Sequence, residues 1–121
     1  MVNKVTPLRA LMEWREYARI LYRAVKNVML EAEIYITGGV AENRITARSD
    51  IDVLIVLPYT PTFNEAVELR TKILEKAEDL ELPLYAPIEL HIIGKEELKK
   101  YMKKGKVIPV KDVTYLDSSS T

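Results

Sequence analysis

The run Asp50 to Leu57, DIDVLIVL, constrains this chain more than any other stretch. After its acidic start it is nearly all β-branched or leucine, a composition that favours a pleated strand. A strand with one wet face alternates apolar and polar side chains, and this run does not. Such a strand expects cover on both faces, so the rest of the chain must supply apolar layers on either side of a sheet.

The flanking sequence offers helices for that purpose. Leu11, Trp14, Ala18, Leu21, Tyr22, Val25, Val28 and Met29 recur at three- and four-residue steps. They predict one long amphipathic helix over residues 8–31, opened by the hydroxyl and proline of Thr6-Pro7. At that spacing Trp14 and Tyr22 read as core rather than as nucleotide-stacking rings. A short strand, residues 33–37, runs into Gly38-Gly39, and residues 40–49 follow as a polar turn or short helix. Pro58 ends the long strand. Thr62-Phe63-Asn64-Glu65 has capping-box spacing and opens a second amphipathic helix carrying Val67, Leu69, Ile73, Leu74 and Ala77. A third strand spans residues 88–93. Gly94 separates it from a lysine-rich helix ending near Gly105, and residues 107–110 offer one more short strand. The expected class is α/β (α+β), a small mixed β-sheet flanked by helices in the order α-β-α-β-α-β-α. At 121 residues the chain is expected to form a single domain over residues 1–116, with residues 117–121 as a flexible tail.

Charge narrows the function classes. Basic and acidic residues balance at 18 each, which argues against a protein that coats nucleic acid non-specifically. The run 95–106 concentrates six lysines against two glutamates. It reads first as a solvated helix face and second as a surface for a polyanion or a partner. With no cysteine, disulfides and thiolate metal sites are excluded. No apolar run approaches the roughly 20 residues that span a bilayer, and the N-terminus lacks signal-peptide features. A cytoplasmic location is expected.

Chemistry concentrates where Gly38-Gly39 is followed, ten residues later, by Asp50-Ile51-Asp52. In a strand Asp50 and Asp52 would share a face about 6.5–7 Å apart. Carboxylates at that spacing repel unless a cation accompanies them, and they are the oxygen ligands that Mg²⁺ prefers. Alone, the pair is more often two solvated acids at a strand end. Three features argue for more. The apolar run begins immediately after Asp52, which sets the acids at a sheet end. The Gly-Gly turn presents backbone N–H groups free of side chains, able to cradle phosphate oxygens. Glu89 opens the apolar run IELHII; were that strand a neighbour of the first, Glu89 would complete a three-carboxylate cluster. Such a cluster suits a pair of Mg²⁺ ions clamping an in-line phosphoryl displacement. His91, the single histidine, shares the face of Glu89 by the two-residue period. A lone strand histidine is more often structural than a proton carrier or phosphate contact.

The stretch ITGGVAENRITARSDIDVLIVL resembles the signature of the DNA polymerase β-type nucleotidyltransferase superfamily. The likeness is closest to its minimal bacterial and archaeal branch (MNT), which is also similar to the catalytic core of kanamycin nucleotidyltransferases. The family pattern is Gly-Ser, about ten residues, Asp-x-Asp, and a third acid on a later strand. Gly38 and Gly39 match the first pair, Asp50 and Asp52 the second, and Glu89 the third acid. The motifs span residues 34–93. The resemblance implies that Asp50 and Asp52 coordinate the Mg²⁺ carrying a triphosphate and bridge to a second, catalytic Mg²⁺, with Mn²⁺ as a substitute. Glu89 would ligate the catalytic ion and help to deprotonate the attacking hydroxyl. The Gly38-Gly39 backbone would hold the leaving phosphates. Arg44 and Arg48 would neutralise phosphate charge, with surface ion pairing an equal alternative for each. Gly39 departs from the family serine, removing a hydrogen bond worth about 0.5–1.5 kcal/mol while leaving the backbone donors.

By the same resemblance the activity would be transfer of a nucleoside monophosphate, AMP from ATP, to an acceptor hydroxyl. The acceptor would be a tyrosine of a small all-helical HEPN-type partner, the two forming a toxin–antitoxin pair. The alternative is a catalytically weak or inactive nucleotide-binding module that regulates its partner by contact. A chain too short for its own acceptor-binding domain fits a site completed in a homo- or hetero-oligomer.

Overall fold

The computed structural model describes residues 7–46 and 50–113. Thr6 of the expected helix start, the end of the expected domain at 116 and the expected tail 117–121 lie outside the described residues. Two helices, α1 (Pro7–Met12) and α2 (Trp14–Val28), lead into β1 (Glu33–Thr37) and β2 (Ile51–Leu57). They are followed by α3 (Phe63–Asp79), β3 (Ile88–Gly94), α4 (Lys95–Lys104) and β4 (Val107–Pro109). The strands form one mixed sheet in the order β3-β2-β1-β4. β2 runs parallel to β3, and β1 runs antiparallel to both β2 and β4.

The unbroken apolar character of β2 follows from this arrangement. Ile51, Val53, Ile55 and Leu57 enter a core built with Leu11 of α1, Tyr17, Leu21 and Val25 of α2, and Ile73 and Ala77 of α3. Leu54 and Val56 point the other way, into a smaller core with Ile93 of β3 and Leu98 of α4. Each β2 residue after Asp52 is at most 1% exposed, and burying such a side chain contributes about 1.5–3 kcal/mol. One layer of helices covers one face and α4 covers the other, as a non-alternating strand requires.

The capping box is present. The Glu65 N–H donates to Thr62 Oγ1 and the Thr62 N–H donates to Glu65 Oε1, each at 3.1 Å. The apolar stripe expected on α3 is narrower than its spacing suggests. Ile73 and Ala77 are buried, whereas Val67 and Leu74 are each 40% exposed. At about 100° per residue, Val67 and Leu74 sit roughly a third of a turn from Ile73.

Element order departs from the expected α-β-α-β-α-β-α in two places. The single helix over 8–31 is broken at Glu13, whose φ −92° and ψ 18° lie outside the helical region. The Glu13 N–H reaches back three residues to the Ala10 carbonyl. A tightened turn keeps residues i and i+3 on one side, so Leu11 and Trp14 enter the same core and the periodicity does not register the break. α2 stops at Val28, where Lys26 Nζ donates to the carbonyls of Leu30 and Ala32. Between β1 and β2 the described residues hold turns and no helix. The Glu42 N–H bonds the Gly38 carbonyl and the Arg44 N–H bonds the Gly39 carbonyl, but Asn43 at φ 58° ends the winding after one turn. The short strand offered by residues 107–110 is present as the edge strand β4, where the missing N–H of Pro109 costs little.

β3 passes into α4 without a loop, Gly94 serving as last strand residue and helix N-cap. A Cβ on Gly94 would stand 3.0 Å from both Cα and Oγ1 of Thr60, so the loop after β2 packs directly on this junction. No helix among the described residues is long and apolar enough to cross a membrane.

Candidate active site

Asp52 is the second residue of β2 and is in register with Thr37 of β1 on one side and Glu89 of β3 on the other. Its face of the strand continues into Leu54 and Val56, which α4 covers through Leu98. The Asp52 carboxylate therefore emerges where the cover of α4 ends. Parallel pairing with β3 sets Glu89 beside Asp52 and His91 beside Leu54, with the acid and the imidazole on the same face of their strand. His91 Nε2 lies 3.4 Å from Asp52 Oδ1 and 3.8 Å from Glu89 Oε1. One ligand atom each from Asp52, Glu89 and His91 lie within 4.8 Å of one another. The side chains are partly solvated, 32% exposed for Asp52, 29% for His91 and 56% for Glu89. Two carboxylate oxygens and an imidazole nitrogen at that spacing fit a divalent cation.

Of the three carboxylates expected to converge, the structure brings together Asp52 and Glu89. It adds His91 and leaves Asp50 outside this group. Pairing with the β3 side begins at Ile51, whose N–H donates to the Pro87 carbonyl at 2.7 Å. Asp50 immediately precedes the paired strand and is exposed.

Gly38 packs directly against the Asp52 carboxylate. Its φ is +80°, and a Cβ built there would come 2.5 Å from Asp52 Oδ2. Only glycine meets both demands, the left-handed backbone and the close approach of a carboxylate. Gly39 follows in the turn, its carbonyl accepting from Arg44. The Arg44 guanidinium pairs with Glu42 at 3.1 Å, the surface ion pair among the two roles expected of it. Arg48 lies outside the described residues.

These groups line a cleft of about 310 Å³, near the lower end for ligand pockets. Asp52 and His91 form its floor, with Thr37, Gly38 and Glu42 on one side and Tyr101 and Lys104 of α4 on the other. Thr37 donates to the Lys106 carbonyl at 3.2 Å, tying the tip of β1 to the segment after α4. Burial raises the Tyr101 phenol above its ordinary value, and the carboxylates of Glu97, Asp52 and Glu89 add to the effect. Its ring stands 6.3 Å from that of His91. Tyr101 thus presents a neutral hydroxyl to an acidic floor, and Lys104 a cation at the rim.

Tyr101, Lys104, Thr37 and Glu42 are absent from the residues singled out by sequence. The run 95–106 reads as a solvated face, yet it contains a signal: Leu98 and Tyr101 are three apart, and that face turns toward the sheet. Lys104 is three residues further along the same side. Glu42 and Thr37 carry no comparable mark.

The comparisons with known proteins fit this geometry. A family model described as a nucleotidyltransferase domain matches residues 15–115. A solved crystal structure, provisionally assigned as a nucleotidyltransferase, is 30% identical with a TM-score of 0.59 and matches over 75% of this chain and 94% of that one. A second, from Sulfolobus solfataricus and also provisionally assigned, has a TM-score of 0.57 over 90% of this chain and 89% of its own. At 15% identity it supports the fold alone. No curated protein matches the chain. Every residue lining the cleft falls inside the family match, and the chain belongs to the nucleotidyltransferase-domain family.

Proposed function

We propose that this chain is a minimal nucleotidyltransferase that moves AMP from ATP to an acceptor hydroxyl, a tyrosine of a HEPN-type partner in a toxin–antitoxin pair. The observation that carries the reading is Asp52 and Glu89 side by side on parallel strands, with the side-chain-free turn at Gly38 abutting Asp52. Asp52 and Glu89 would hold a divalent cation, Mg²⁺ or Mn²⁺, with Asp50 reaching a second ion from the strand's entrance. When bound, the cation supplies positive charge to the phosphates. The side-chain-free turn at Gly38-Gly39 receives the β- and γ-phosphates, with Lys104 adding charge at the rim. Glu89, the most exposed of the three clustered groups, takes the proton of the acceptor hydroxyl as its oxygen attacks the α-phosphorus and pyrophosphate departs. On this reading the chain acts as a single domain over residues 1–116 in the cytoplasm.

A second reading has its own support. Gly39 lacks the family hydroxyl, and Asp50 stands apart from Asp52 and Glu89. Both favour a module that binds nucleotide and regulates a partner by contact. Incubation with α-labelled ATP, a divalent cation and the partner protein separates the two. Labelled partner that disappears with Asp52→Ala supports transfer; tight nucleotide binding with no label on any acceptor supports the module.

A further inference from the structure

We propose that His91 is a metal ligand, and that with Asp52 and Glu89 it forms a mixed nitrogen–oxygen site taking a first-row transition dication such as Mn²⁺ in preference to Mg²⁺. The inference rests on the reading of this cleft as a divalent-metal centre and deepens it by naming the ion.

Atoms that share one cation at about 2.0–2.2 Å lie roughly 3.0–3.5 Å apart. His91 Nε2 is already 3.4 Å from Asp52 Oδ1 and 3.8 Å from Glu89 Oε1. All three ligand atoms lie within 4.8 Å of one another, so a cation placed between them would draw the side chains together. The imidazole is well constrained for the role. It stands in mid-strand, paired with Leu54, with its ring near that of Tyr101. Its Nε2 faces both carboxylates. Asp52 and Glu89 bring two negative charges, which one dication balances, while Asp50 lies outside the group.

Ion preference follows from the donor set. Mg²⁺ takes oxygen ligands and gives up water reluctantly, so it gains little from an imidazole. First-row transition ions accept nitrogen readily, with affinity rising from Mn²⁺ onward. The competing account of the same contacts is an ion pair in which His91 only bridges the two acids. In that case a bound metal would have no nitrogen in its coordination shell.

The test uses the whole chain without nucleotide. Mn²⁺ and Mg²⁺ are titrated against the native protein, His91→Asn and Asp52→Asn, with Mn²⁺ followed by the resonance of the free ion and Mg²⁺ by competition. Spin-echo modulation on the bound Mn²⁺ reports any ¹⁴N ligand. Native protein is expected to show nitrogen coupling, and His91→Asn to lose it. The same variant should lower Mn²⁺ affinity by at least about tenfold while Mg²⁺ affinity changes by less than about twofold. Bound Mn²⁺ without nitrogen coupling in the native protein overturns the proposal, whether or not the variant folds. So does a His91→Asn protein with unaltered Mn²⁺ affinity. If Asp52→Asn abolishes metal binding while His91→Asn leaves it unchanged, only the inference falls. If Mn²⁺ binding survives Asp52→Asn, the metal-centre reading itself falls with it.

Discussion

Gly38 and Asp52 occupy abutting space: any Cβ at position 38 would stand 2.5 Å from Oδ2 of Asp52, and the backbone there has φ +80°. The turn after β1 and the carboxylate on β2 are therefore built as one unit. Gly38→Ala should displace the Asp52 carboxylate and weaken metal binding, and the left-handed backbone adds about 1–2 kcal/mol of destabilisation. Calorimetric metal titration beside thermal melts checks both effects. Metal affinity equal to that of the native protein would show that the turn does not hold the carboxylate.

Gly39 offers the converse experiment. If the turn receives a triphosphate, Gly39→Ser restores a hydroxyl donor and should tighten binding of a non-hydrolysable ATP analogue by about 0.5–1.5 kcal/mol, up to about tenfold in Kd. Equal Kd values in the two proteins would place the phosphates elsewhere.

Leu98 fastens α4 to the sheet through Leu54, Val56 and Ile93. Leu98→Ala should cost about 2–5 kcal/mol by denaturant unfolding. Met102 on the same helix is exposed, and Met102→Ala should stay within about 0.5 kcal/mol of the native protein. Similar losses from both would deny that α4 is held by this contact.

Stability at alkaline pH depends on Tyr17. Burial pushes its phenol from 10.0 up to about 12, with Glu13 and Tyr85 contributing. The folded chain keeps a proton that the unfolded chain releases. Its contribution is complete below pH 10.0 and is lost as pH rises through about 12. The stability difference between native protein and Tyr17→Phe, followed by denaturant titration across that window, should shift steadily against the native chain as pH rises. A difference independent of pH would contradict the assignment.

Much of this fold is legible from short-range pattern. The apolar run of β2 announces cover on both faces, and Thr62 with Glu65 announces the start of α3. The apolar opening of β3 makes Glu89 a candidate partner for Asp52. The rest depends on contacts distant in sequence. β2 begins at Ile51, bonded to the Pro87 carbonyl of the segment before β3, and Asp50 lies before the strand and outside the ligand cluster. The break at Glu13 hides because a tightened turn preserves the i, i+3 step. Tyr101 and Lys104 join the cleft through the direct passage of β3 into α4, which the Leu98–Tyr101 spacing marks only as a face turned toward the sheet.

That passage has a mechanical consequence. From Glu89 to Lys104 the backbone runs as strand and then helix with Gly94 as the only joint, and Thr60 is pressed against it. The loop after β2 packs directly on that joint. The acid, the imidazole, the phenol and the rim lysine are therefore carried on one uninterrupted stretch of strand and helix.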